Sequence, residues 1–483
     1  MPEAAPEPIE TLIDAGSFVP AGPPVPAPDP LGYPSYPEAL ARASERSGSP
    51  EAVHAGAASI AGVPVEIAAF DFSFMAGSMG SSAGETLARA LERAATRRVP
   101  FVLRTATGGA RMQEGMASLV QMPKVAGARV ELARAGRPFV AALGHPTTGG
   151  VLAGLAALAD VTIAERGATI GFAGPRVVEA ATGRRLAEDS HTAESAAGAG
   201  LVDAVVDAGL LRGAIETVLS IMCAGDDDPP GEPPPAATGE RDPWESLQAV
   251  RSPEWPRAPG LARSMAGAFF ELRGDRAGAD DPACVAALAT VDGRGVLVLA
   301  LDRDRAPGPS AYRKAIRCVQ MAGRVGLPVV TLVDTGGADP SEASEAGGIA
   351  WAIAELFEAI LQAPVPVVSV LTGEGGSGGA LAFACGDVLL AFEEAVFAVI
   401  APELAAEILW RDGGRAAAAA RVLRVGAADL ARLGVCDAVL PGRPTPGPLA
   451  AAVAYHLARL ADATPAGARD AARRRRWRHG LGD

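Results

Sequence analysis

The feature that most constrains this chain is a set of four anchors that recur in the same order in both of its halves. The paired anchors are Gly108-Gly109 with Gly336-Gly337, Gly149-Gly150 with Gly378-Gly379, Asp160 with Asp387, and residues 200–205 with residues 434–439. Their offsets are 228, 229, 227 and 234 residues. Ordered repetition at a nearly constant spacing indicates internal duplication. The chain is therefore predicted to contain two homologous domains.

Each half repeats the order of an apolar run, a glycine turn and a helical pattern. Residues 139–143 lead to Gly149-Gly150, and residues 365–371 lead to the turn at 373–380. Alternating strands and helices predict an α/β architecture. Glycine lets the backbone approach a ligand closely, and the start of a helix leaves N–H groups unpaired. A lone turn of this kind is more often only a tight connection, but its duplication favours a binding role.

Shifts in composition predict the domain boundaries. Residues 1–45 are rich in Pro and Ala and are expected to be a flexible lead-in to a first domain at 46–223. An acidic, Pro-rich linker is predicted at 224–245, followed by a second domain at 246–465. Residues 466–483 form an Arg-rich tail, which we expect to be solvated; the alternative is a docking segment for an acidic partner.

Charge and cysteine content argue against several classes of protein. A net charge of −13 and a pI near 5.1 argue against general nucleic-acid binding. The five cysteines include no CxxC pair, so no metal site is predicted and reduced thiols are expected. The longest uncharged apolar segment, residues 138–159, is interrupted by a His-Pro pair and four glycines, which makes it a poor membrane span. The N-terminus has no signal-peptide pattern, and a cytoplasmic location is expected.

The glycine turns define the candidate site. In an α/β layer, the turns after successive parallel strands lie at one edge of the sheet, where ligands usually bind. No Ser–His–Asp set, metal cluster or Walker lysine accompanies them: Ser377 has no evident partner base, and His145 before a proline is more often structural. The chemistry that this predicts is stabilisation of an oxyanion by backbone N–H groups, with the base supplied elsewhere.

Long motifs in both halves are similar to one enzyme family. The first half resembles the carboxyltransferase beta subunit of bacterial acetyl-coenzyme A carboxylase at residues 72–80, 108–115, 146–151 and 170–177. The second half resembles the alpha subunit at Tyr312-Arg313-Lys314-Ala315, Asp334-Thr335, residues 373–381 and Ile408-Leu409-Trp410. The match covers about residues 50–215 and 285–440, so the chain resembles a natural beta–alpha fusion.

This resemblance implies a fold and a reaction. The implied fold is α/β with two tandem crotonase-like (ββα superhelix) domains. The implied reaction moves a carboxyl group from carboxybiotin to the α-carbon of an acyl-coenzyme A, with acetyl-coenzyme A as the expected substrate and malonyl-coenzyme A as the product for fatty acid biosynthesis. Two anions then need stabilisation, the thioester enolate and the ureido oxyanion of biotin, and released biotin can act as the base.

The resemblance also implies roles for individual residues. The family's paired oxyanion holes, the implied catalytic positions, carry over to Gly149, Gly150, Gly378 and Gly379. The implied substrate-binding residues are Gly108, Gly109, Ala110, Arg111, Gly336 and Gly337. By the same resemblance, the first half cradles the acyl-coenzyme A and the second half cradles biotin.

The partners follow from what the sequence does not contain. Neither lysine, Lys124 or Lys314, lies in a biotin-acceptor Met-Lys-Met, and no ATP-grasp module fits the chain. A biotin carboxylase and a biotin carboxyl carrier protein are therefore expected as separate partners, with no covalently bound cofactor. In the family the site forms between halves of different protomers, so a homodimer or a larger homo-oligomer is expected.

Several positions depart from the family pattern. The four-cysteine zinc ribbon of the beta subunit is not expected here, and His145 replaces the family's Asp before Pro-Thr-Thr. Gly336 replaces the proline of the alpha subunit's Asp-Thr-Pro-Gly-Ala. These changes leave the choice of acyl chain open.

Two other functions remain open. One is a biotin-independent malonyl-type decarboxylase, which would run the same enolate chemistry backwards. The other is a non-catalytic acyl-coenzyme A-binding paralogue, which would bind its ligand without turnover; the intact glycine pairs in both halves argue against it.

Overall fold

The chain folds into two units, each built around its own sheet. A computed structural model describes residues 6–22, 27–225, 231–237, 239–463 and 466–479. One unit comprises Met1–Ser220 with Arg276–Gly278, and the other comprises Ile221–Asp275 with Ala279–Asp483. We call them unit 1 and unit 2. The predicted domain boundaries differ slightly from these divisions and stay predictions.

Parts of four predicted segments lie outside the described residues. They are residues 1–5 and 23–26 of the lead-in, 226–230 and 238 of the linker, 464–465 of the second domain, and 480–483 of the tail.

Unit 1 is an eight-stranded mixed sheet with helices on its faces. Its strands are β1 (Val19–Pro20), β2 (Val53–Ile60), β3 (Val63–Phe70), β4 (Phe101–Thr107), β5 (Phe139–Thr148), β6 (Val161–Glu165), β7 (Ile170–Gly171) and β8 (Ala204–Val206). Its helices are α1 (Glu7–Glu10), α2 (Tyr36–Ser47), α3 (Ser81–Arg97), α4 (Met116–Leu119), α5 (Gln121–Arg134), α6 (Gly149–Gly154), α7 (Pro175–Thr182) and α8 (Ala193–Gly198), and α9 (Leu211–Met222) runs to the division between the units.

The sheet order in unit 1 is β1-β2-β3-β4-β5-β6-β8, with β7 paired to β5. β1, β2 and β3 pair antiparallel, and the later pairs are parallel. Helix α3 buries Leu87 and Leu91 one turn apart, as an amphipathic helix packed on a sheet does. Parallel strands need buried faces, and β5 is buried from Phe139 to Gly144.

Unit 2 has the same architecture. Its strands are β9 (Phe269–Leu272), β10 (Cys284–Val291), β11 (Arg294–Leu301), β12 (Val329–Thr335), β13 (Val367–Gly376), β14 (Val388–Phe392), β15 (Val396–Ala398) and β16 (Ala438–Leu440). Its helices are α10 (Pro243–Val250), α11 (Ala258–Met265), α12 (Pro309–Val325), α13 (Glu342–Ala346), α14 (Ile349–Gln362), α15 (Ser377–Ala384), α16 (Pro402–Trp410), α17 (Ala416–Val422), α18 (Ala427–Arg432), α19 (Pro446–Ala463) and α20 (Arg469–His479).

The two units match element by element. The order β9-β10-β11-β12-β13-β14-β16, with β15 paired to β13, repeats that of unit 1 strand for strand. The offset is 228 residues at both ends of α3 and α12, of β4 and β12, and of β5 and β13. Even the register shift between Thr105 and Thr107 recurs between Val333 and Thr335. The repetition that the anchors predict is thus present in the fold.

Each sheet is held by two aspartates that accept a backbone N–H from a strand. The backbone N–H groups donate to the carboxylates in four hydrogen bonds: Phe139 to Asp160 (2.8 Å), Thr162 to Asp203 (2.8 Å), Val367 to Asp387 (2.8 Å) and Leu389 to Asp437 (2.7 Å). An arginine neutralises each carboxylate: Arg129 pairs with Asp160, Arg276 with Asp203, Arg473 with Asp387 and Arg476 with Asp437. We call these four pairs the aspartate staples. The two aspartates of unit 1 are buried, and a buried carboxylate needs such partners.

The described part of the lead-in is more ordered than predicted. Ile9 is buried, β1 pairs with β2, and Tyr36 of α2 is buried with its hydroxyl donating to Glu114 at 2.7 Å. The prediction of a flexible lead-in is wrong for these residues, because apolar and aromatic side chains spaced among the prolines reach the core of unit 1.

The prediction of a solvated tail is wrong for Arg473. This residue of α20 is 1% exposed, and besides its salt bridge to Asp387 it donates to the carbonyls of Ile360, Ala363 and Val365. Of the arginines described in the tail, only Arg474, Arg475 and Arg478 are exposed.

The predicted linker ends earlier than expected. Asp242 caps α10 by accepting the N–H groups of Trp244 and Glu245, so regular structure of unit 2 begins before residue 246. Within the described residues, no helix combines the length and apolar character needed to cross a bilayer.

Candidate functional site

In unit 1, the turn after β4 and the turn between β5 and α6 touch at their glycines. Gly109 and Gly149 both have positive φ angles, +104° and +65°, which favour glycine. A Cβ atom at Gly149 would lie 3.0 Å from the Cα of Gly109, and one at Gly109 would lie 3.3 Å from the Thr148 carbonyl oxygen. Side chains at these two positions would therefore force the turns apart.

Where the two turns meet, two backbone N–H groups have an acceptor among the described residues and two do not. The Gly149 N–H donates to the Phe172 carbonyl at 2.9 Å, and the Gly109 N–H donates to the Thr107 hydroxyl at 3.0 Å. Within the described part of the chain, neither the Ala110 N–H nor the Gly150 N–H finds an acceptor. A Cβ on Gly150 would lie 3.8 Å from that of Ala110, so the two free donors come from adjacent backbone. Such a pair can receive a developing negative charge.

Unit 2 repeats the construction with one change of residue. Gly337 has φ +132°, and its N–H donates to the Thr335 hydroxyl at 3.3 Å, as Gly109 donates to Thr107. The first residue of α15 is Ser377, with φ +61°, and it takes the place of Gly149. Ala338 and Gly378 have N–H groups with no acceptor among the described residues, like Ala110 and Gly150.

This register corrects the predicted pairing of the second turns. The sequence pattern pairs Gly149-Gly150 with Gly378-Gly379 at an offset of 229, whereas β5 and β13 both end at an offset of 228. The residue equivalent to Gly150 is therefore Gly378, and Gly379 corresponds to Val151. The sequence comparison aligns Gly149 with Gly378 because both begin a glycine pair. The true counterpart of Gly149 is Ser377, and a serine is seldom expected where φ is positive.

Gly378 and Gly379 have different surroundings. A Cβ on Gly378 would have no atom within 4 Å, and the residue is exposed. A Cβ on Gly379 would lie 2.6 Å from the hydroxyl of Tyr312 and 3.0 Å from the Ala338 nitrogen. Gly378 thus borders open space in which a ligand can approach its N–H, whereas Gly379 is packed against Tyr312 and Ala338.

Arg111 is turned into the core, so its guanidinium lends no support to the predicted substrate-binding role. Its guanidinium is fully buried, pairs with Glu51, and donates to the Ser78 carbonyl at 2.7 Å. Burial opposes its charge, but the hydrogen bond and charge of Glu51 outweigh that effect and raise the pKa of Arg111 above the ordinary arginine value. All three guanidinium nitrogens have acceptors inside the protein, so the side chain of Arg111 holds the turn.

Asp334 is the most perturbed carboxyl group beside the turns. Burial raises its pKa to about 7, although Arg303 and the Glu374 N–H (3.0 Å) both favour the charged form. Its Oδ1 lies 3.6 Å from Nη1 of Arg303. Among the described residues, neither its Oδ2 nor Nη2 of Arg303 has a hydrogen-bond partner. Gly373 is required here, because a Cβ would lie 2.1 Å from Oδ1 of Asp334.

The remaining predicted residues are structural neighbours of the turns. The Gly108 N–H donates to the Ala76 carbonyl at 2.9 Å, and a Cβ on Gly376 would lie 2.1 Å from the Gly336 carbonyl oxygen. His145 accepts the Thr169 N–H at 3.2 Å, in keeping with a structural role. No cluster of three or more potential metal ligands occurs in the ranges described.

Unit 1 also contains an apolar cavity beside its turns. The cavity is about 600 Å³ and is lined by residues such as Leu152, Ile170, Phe172 and His191. Phe172 links the cavity to the turn at Gly149, since its carbonyl accepts the Gly149 N–H. The turn glycines themselves are not part of the lining.

Sequence reasoning missed Ala338 and Tyr312. Ala338 corresponds to Ala110 at the 228-residue offset, so an alignment by strands would have found it. Tyr312 lies in a motif that resembles the alpha subunit, but nothing in the sequence brings its hydroxyl to Gly379, which is distant along the chain.

Two sheets of this topology, each with two touching turns and a pair of free N–H donors, have the crotonase-like fold. The transcarboxylase 12S structure, with methylmalonyl-coenzyme A and methylmalonic acid bound, matches with a TM-score of 0.77 and 24% identity, over 94% of this chain and 89% of that one. A single-chain, multi-domain long-chain acyl-coenzyme A carboxylase matches with a TM-score of 0.72 and 23% identity, over 94% of this chain and 46% of that one. These likenesses establish the fold.

Sequence relatives identify the family. The acetyl-coenzyme A carboxylase carboxyl transferase subunits beta/alpha of Salinispora tropica is 44% identical over 95% of this chain and 87% of its own. A probable biotin-dependent acyl-coenzyme A carboxylase beta3 subunit of Mycobacterium bovis is 35% identical over 90% of this chain and 88% of its own. A family model described as acetyl co-enzyme A carboxylase carboxyltransferase-like matches residues 237–455. The chain belongs to the acetyl-coenzyme A carboxylase carboxyltransferase family, as a fusion of its beta and alpha parts.

Proposed function

We propose that this protein transfers a carboxyl group from carboxybiotin, delivered by a separate carrier protein, to the α-carbon of acetyl-coenzyme A. The observation that carries the proposal is the duplicated pair of free N–H donors, Ala110 with Gly150 and Ala338 with Gly378, in a chain of this family. The transfer needs two places where oxygen acquires negative charge, one on each reactant. The chain offers one donor pair in each unit.

Unit 1 is assigned to the acyl-coenzyme A. Hydrogen bonds from Ala110 and Gly150 to the thioester oxygen would stabilise the enolate more than the neutral thioester, which lowers the barrier to loss of the α-proton. The donors are held by the contact between Gly109 and Gly149, so little reorganisation is needed when charge develops. The nearby apolar cavity offers space for a short acyl group.

The residues of unit 2 fit the ureido group of biotin. The donors Ala338 and Gly378 are free, and a side chain starting at Gly378 would have no protein atom within 4 Å. When bound, carboxybiotin supplies the carboxyl group. The role of this chain is to donate hydrogen bonds to the ureido oxygen and to keep the reacting atoms in place.

Acetyl-coenzyme A is the proposed substrate because the relatives named beta/alpha subunits carry that activity in their names. The transcarboxylase structure has methylmalonyl-coenzyme A bound, so larger acyl groups occur on this fold. Gly336, which stands where the family pattern has proline, lies in the turn of unit 2 and not in that of unit 1. We therefore expect it to affect biotin more than acyl choice.

Three further features complete the proposal. A biotin carboxylase and a biotin carboxyl carrier protein are the partners, and the site of action is the cytoplasm. The protein acts as a homo-oligomer; the transcarboxylase 12S core is described as a hexamer, and Leu404 and Ile408 of α16 form an exposed apolar stripe here. Isolated apolar residues are common on surfaces, but a stripe at i and i+4 indicates an interface.

The test is the reverse reaction. Purified protein is incubated with malonyl-coenzyme A and biocytin, and formation of acetyl-coenzyme A is followed. Acetyl-coenzyme A formation that depends on biocytin is the expected result. Equal formation without biocytin would identify a decarboxylase, and binding of acyl-coenzyme A without reaction with either biocytin or a biotinylated carrier protein would identify a non-catalytic paralogue; either result would overturn the proposal.

A further inference from the structure

Next to the second turn, the two units have different residues at two equivalent positions, one on the long helix and one on the short helix. Helices α3 and α12 both have 17 residues and keep the 228-residue offset, so Tyr312 takes the position of Gly84. On the following short helix, Gly379 takes the position of Val151. Unit 1 therefore has glycine on the long helix and valine on the short one, whereas unit 2 has tyrosine and glycine. The exchange brings a tyrosine hydroxyl to unit 2, whereas in unit 1 the side chain of Gln121 lies against Gly84.

The exchange places a hydroxyl between the two turns of unit 2. A Cβ on Gly379 would lie 2.6 Å from the Tyr312 hydroxyl and 3.0 Å from the Ala338 nitrogen, so both groups approach the same glycine closely. The phenol ring is fixed against Phe383 of α15, with ring centroids 5.5 Å apart. The hydroxyl is thus held at the N-terminal end of an eight-residue helix, beside one of the free N–H donors.

This hydroxyl is buried without a partner. Tyr312 is 0% exposed, and its oxygen has no hydrogen-bond partner among the described residues. An unsatisfied buried hydroxyl is destabilising, and phenylalanine would fill the same space without that cost. Burial also raises the pKa of Tyr312, so the hydroxyl keeps its proton and remains a donor. A donor retained at such a cost indicates an acceptor that arrives with a ligand.

We propose that the Tyr312 hydroxyl donates a hydrogen bond to the ureido oxygen that binds at the start of α15, alongside the Gly378 and Ala338 N–H groups. This inference rests on the proposed function, in which unit 2 takes biotin. Gly84, the residue of unit 1 at the equivalent position, has no side chain that could donate. Tyr312 is therefore a residue that distinguishes the biotin half of the protein from the acyl half.

The experiment measures binding of biocytin to the full-length protein by titration calorimetry, without turnover. For Tyr312→Phe we expect affinity about tenfold weaker, the loss of one hydrogen bond to a polar ligand. The KM for malonyl-coenzyme A in the exchange reaction should stay unchanged. Tyr455→Phe, a change in the half-buried α19 away from the turns, is the matched control and should bind biocytin as the wild type does.

A purely structural role would give a different pattern. Removing a partnerless hydroxyl should leave the Tm of Tyr312→Phe unchanged or raise it, whereas a supporting role in the fold would lower the Tm. Wild-type affinity for biocytin in Tyr312→Phe, or weaker binding accompanied by a lower Tm, would overturn the inference and leave the proposed function standing. Failure of the wild type to bind or use biocytin would overturn both.

Discussion

At the scale of single residues, the buried charged side chains next to the site differ in whether all their polar atoms have hydrogen-bond partners. Arg111 has a full set of acceptors and fixes the first turn of unit 1. Asp334, at the corresponding edge of unit 2, keeps one oxygen without a partner among the described residues, and faces Arg303 across 3.6 Å. An incompletely satisfied carboxylate of this kind should make stability depend on pH.

We expect Asp334 to destabilise the protein as pH rises. Burial raises its pKa to about 7, so the folded state holds the proton more tightly than the unfolded state does. Its favourable contribution is complete below about pH 4 and is lost progressively towards pH 7, by up to about 1.4 kcal/mol per pH unit. Asp334→Asn should remove this dependence and gain stability relative to the wild type as pH rises from about 5 to about 8, measured as a difference in Tm.

The control for this prediction is Asp292→Asn, a change at an exposed turn. It should leave the difference in Tm between the two pH values as it is in the wild type. A parallel shift of wild type and Asp334→Asn across the pH range would show that Asp334 does not titrate in this window.

At the scale of elements, the turns that lead into α6 and α15 contain glycines that we expect to serve different purposes. One glycine is needed for folding, and the other leaves space for a ligand. Gly149 needs its positive φ and the contact with Gly109. Gly378 has neither constraint, since its surroundings are empty to 4 Å. Equivalent turns therefore contain glycines with separable roles.

Valine substitutions should separate these roles. Gly378→Val should fold with a nearly unchanged Tm and lose biocytin-dependent exchange by about 10²–10³-fold, because the side chain occupies the space from which the N–H is reached. Gly149→Val should instead lower the Tm markedly, because a β-branched residue at φ +65° is strained and collides with Gly109. Thermal melting and exchange rates of both variants give the comparison.

The control for the valine variants is Gly447→Ala. Gly447 is an exposed residue of α19, and a Cβ added there would meet no atom within 4 Å. This variant should change neither the Tm nor the exchange rate. Turnover near that of the wild type in a folded Gly378→Val protein would contradict the assignment of Gly378.

The sequence predicts those parts of the structure that depend on local rules. Strands followed by glycine turns recur with a fixed period, so the duplication, the α/β class and the turns around Gly109 and Gly337 could be predicted. Contacts between distant residues could not. The hydroxyl of Tyr312, the burial of Arg473 and the burial of Arg111 depend on tertiary packing, and an exposed arginine and a buried one look alike in a sequence.

At the scale of the whole molecule, exposed apolar side chains suggest a surface for the proposed homo-oligomer. Leu404 and Ile408 lie one turn apart on α16 and are 56% and 70% exposed. A single chain of this size does not need such a stripe in contact with water, and assembly with further copies would bury it.

Charged substitutions on this stripe should weaken assembly. Leu404→Glu with Ile408→Glu should lower the molecular mass measured by light scattering after size exclusion, because a symmetric contact would bring the new carboxylates of both copies together without cations. Leu210→Glu, at an exposed apolar residue outside this stripe, is the control. A wild type that is monomeric at all concentrations would contradict the proposal of a homo-oligomer.

The aspartate staples have a consequence for how this chain can be divided. Asp203 belongs to unit 1, but Arg276, which neutralises it, follows Ile221–Asp275 of unit 2 along the chain. A cut at the acidic, Pro-rich linker would therefore separate this buried carboxylate from its cation and place the two on different polypeptides. Since a buried charge without its partner is costly, the piece that keeps Asp203 would lose stability. Unit 1 thus depends on a residue that the chain supplies only after Ile221–Asp275 has been passed.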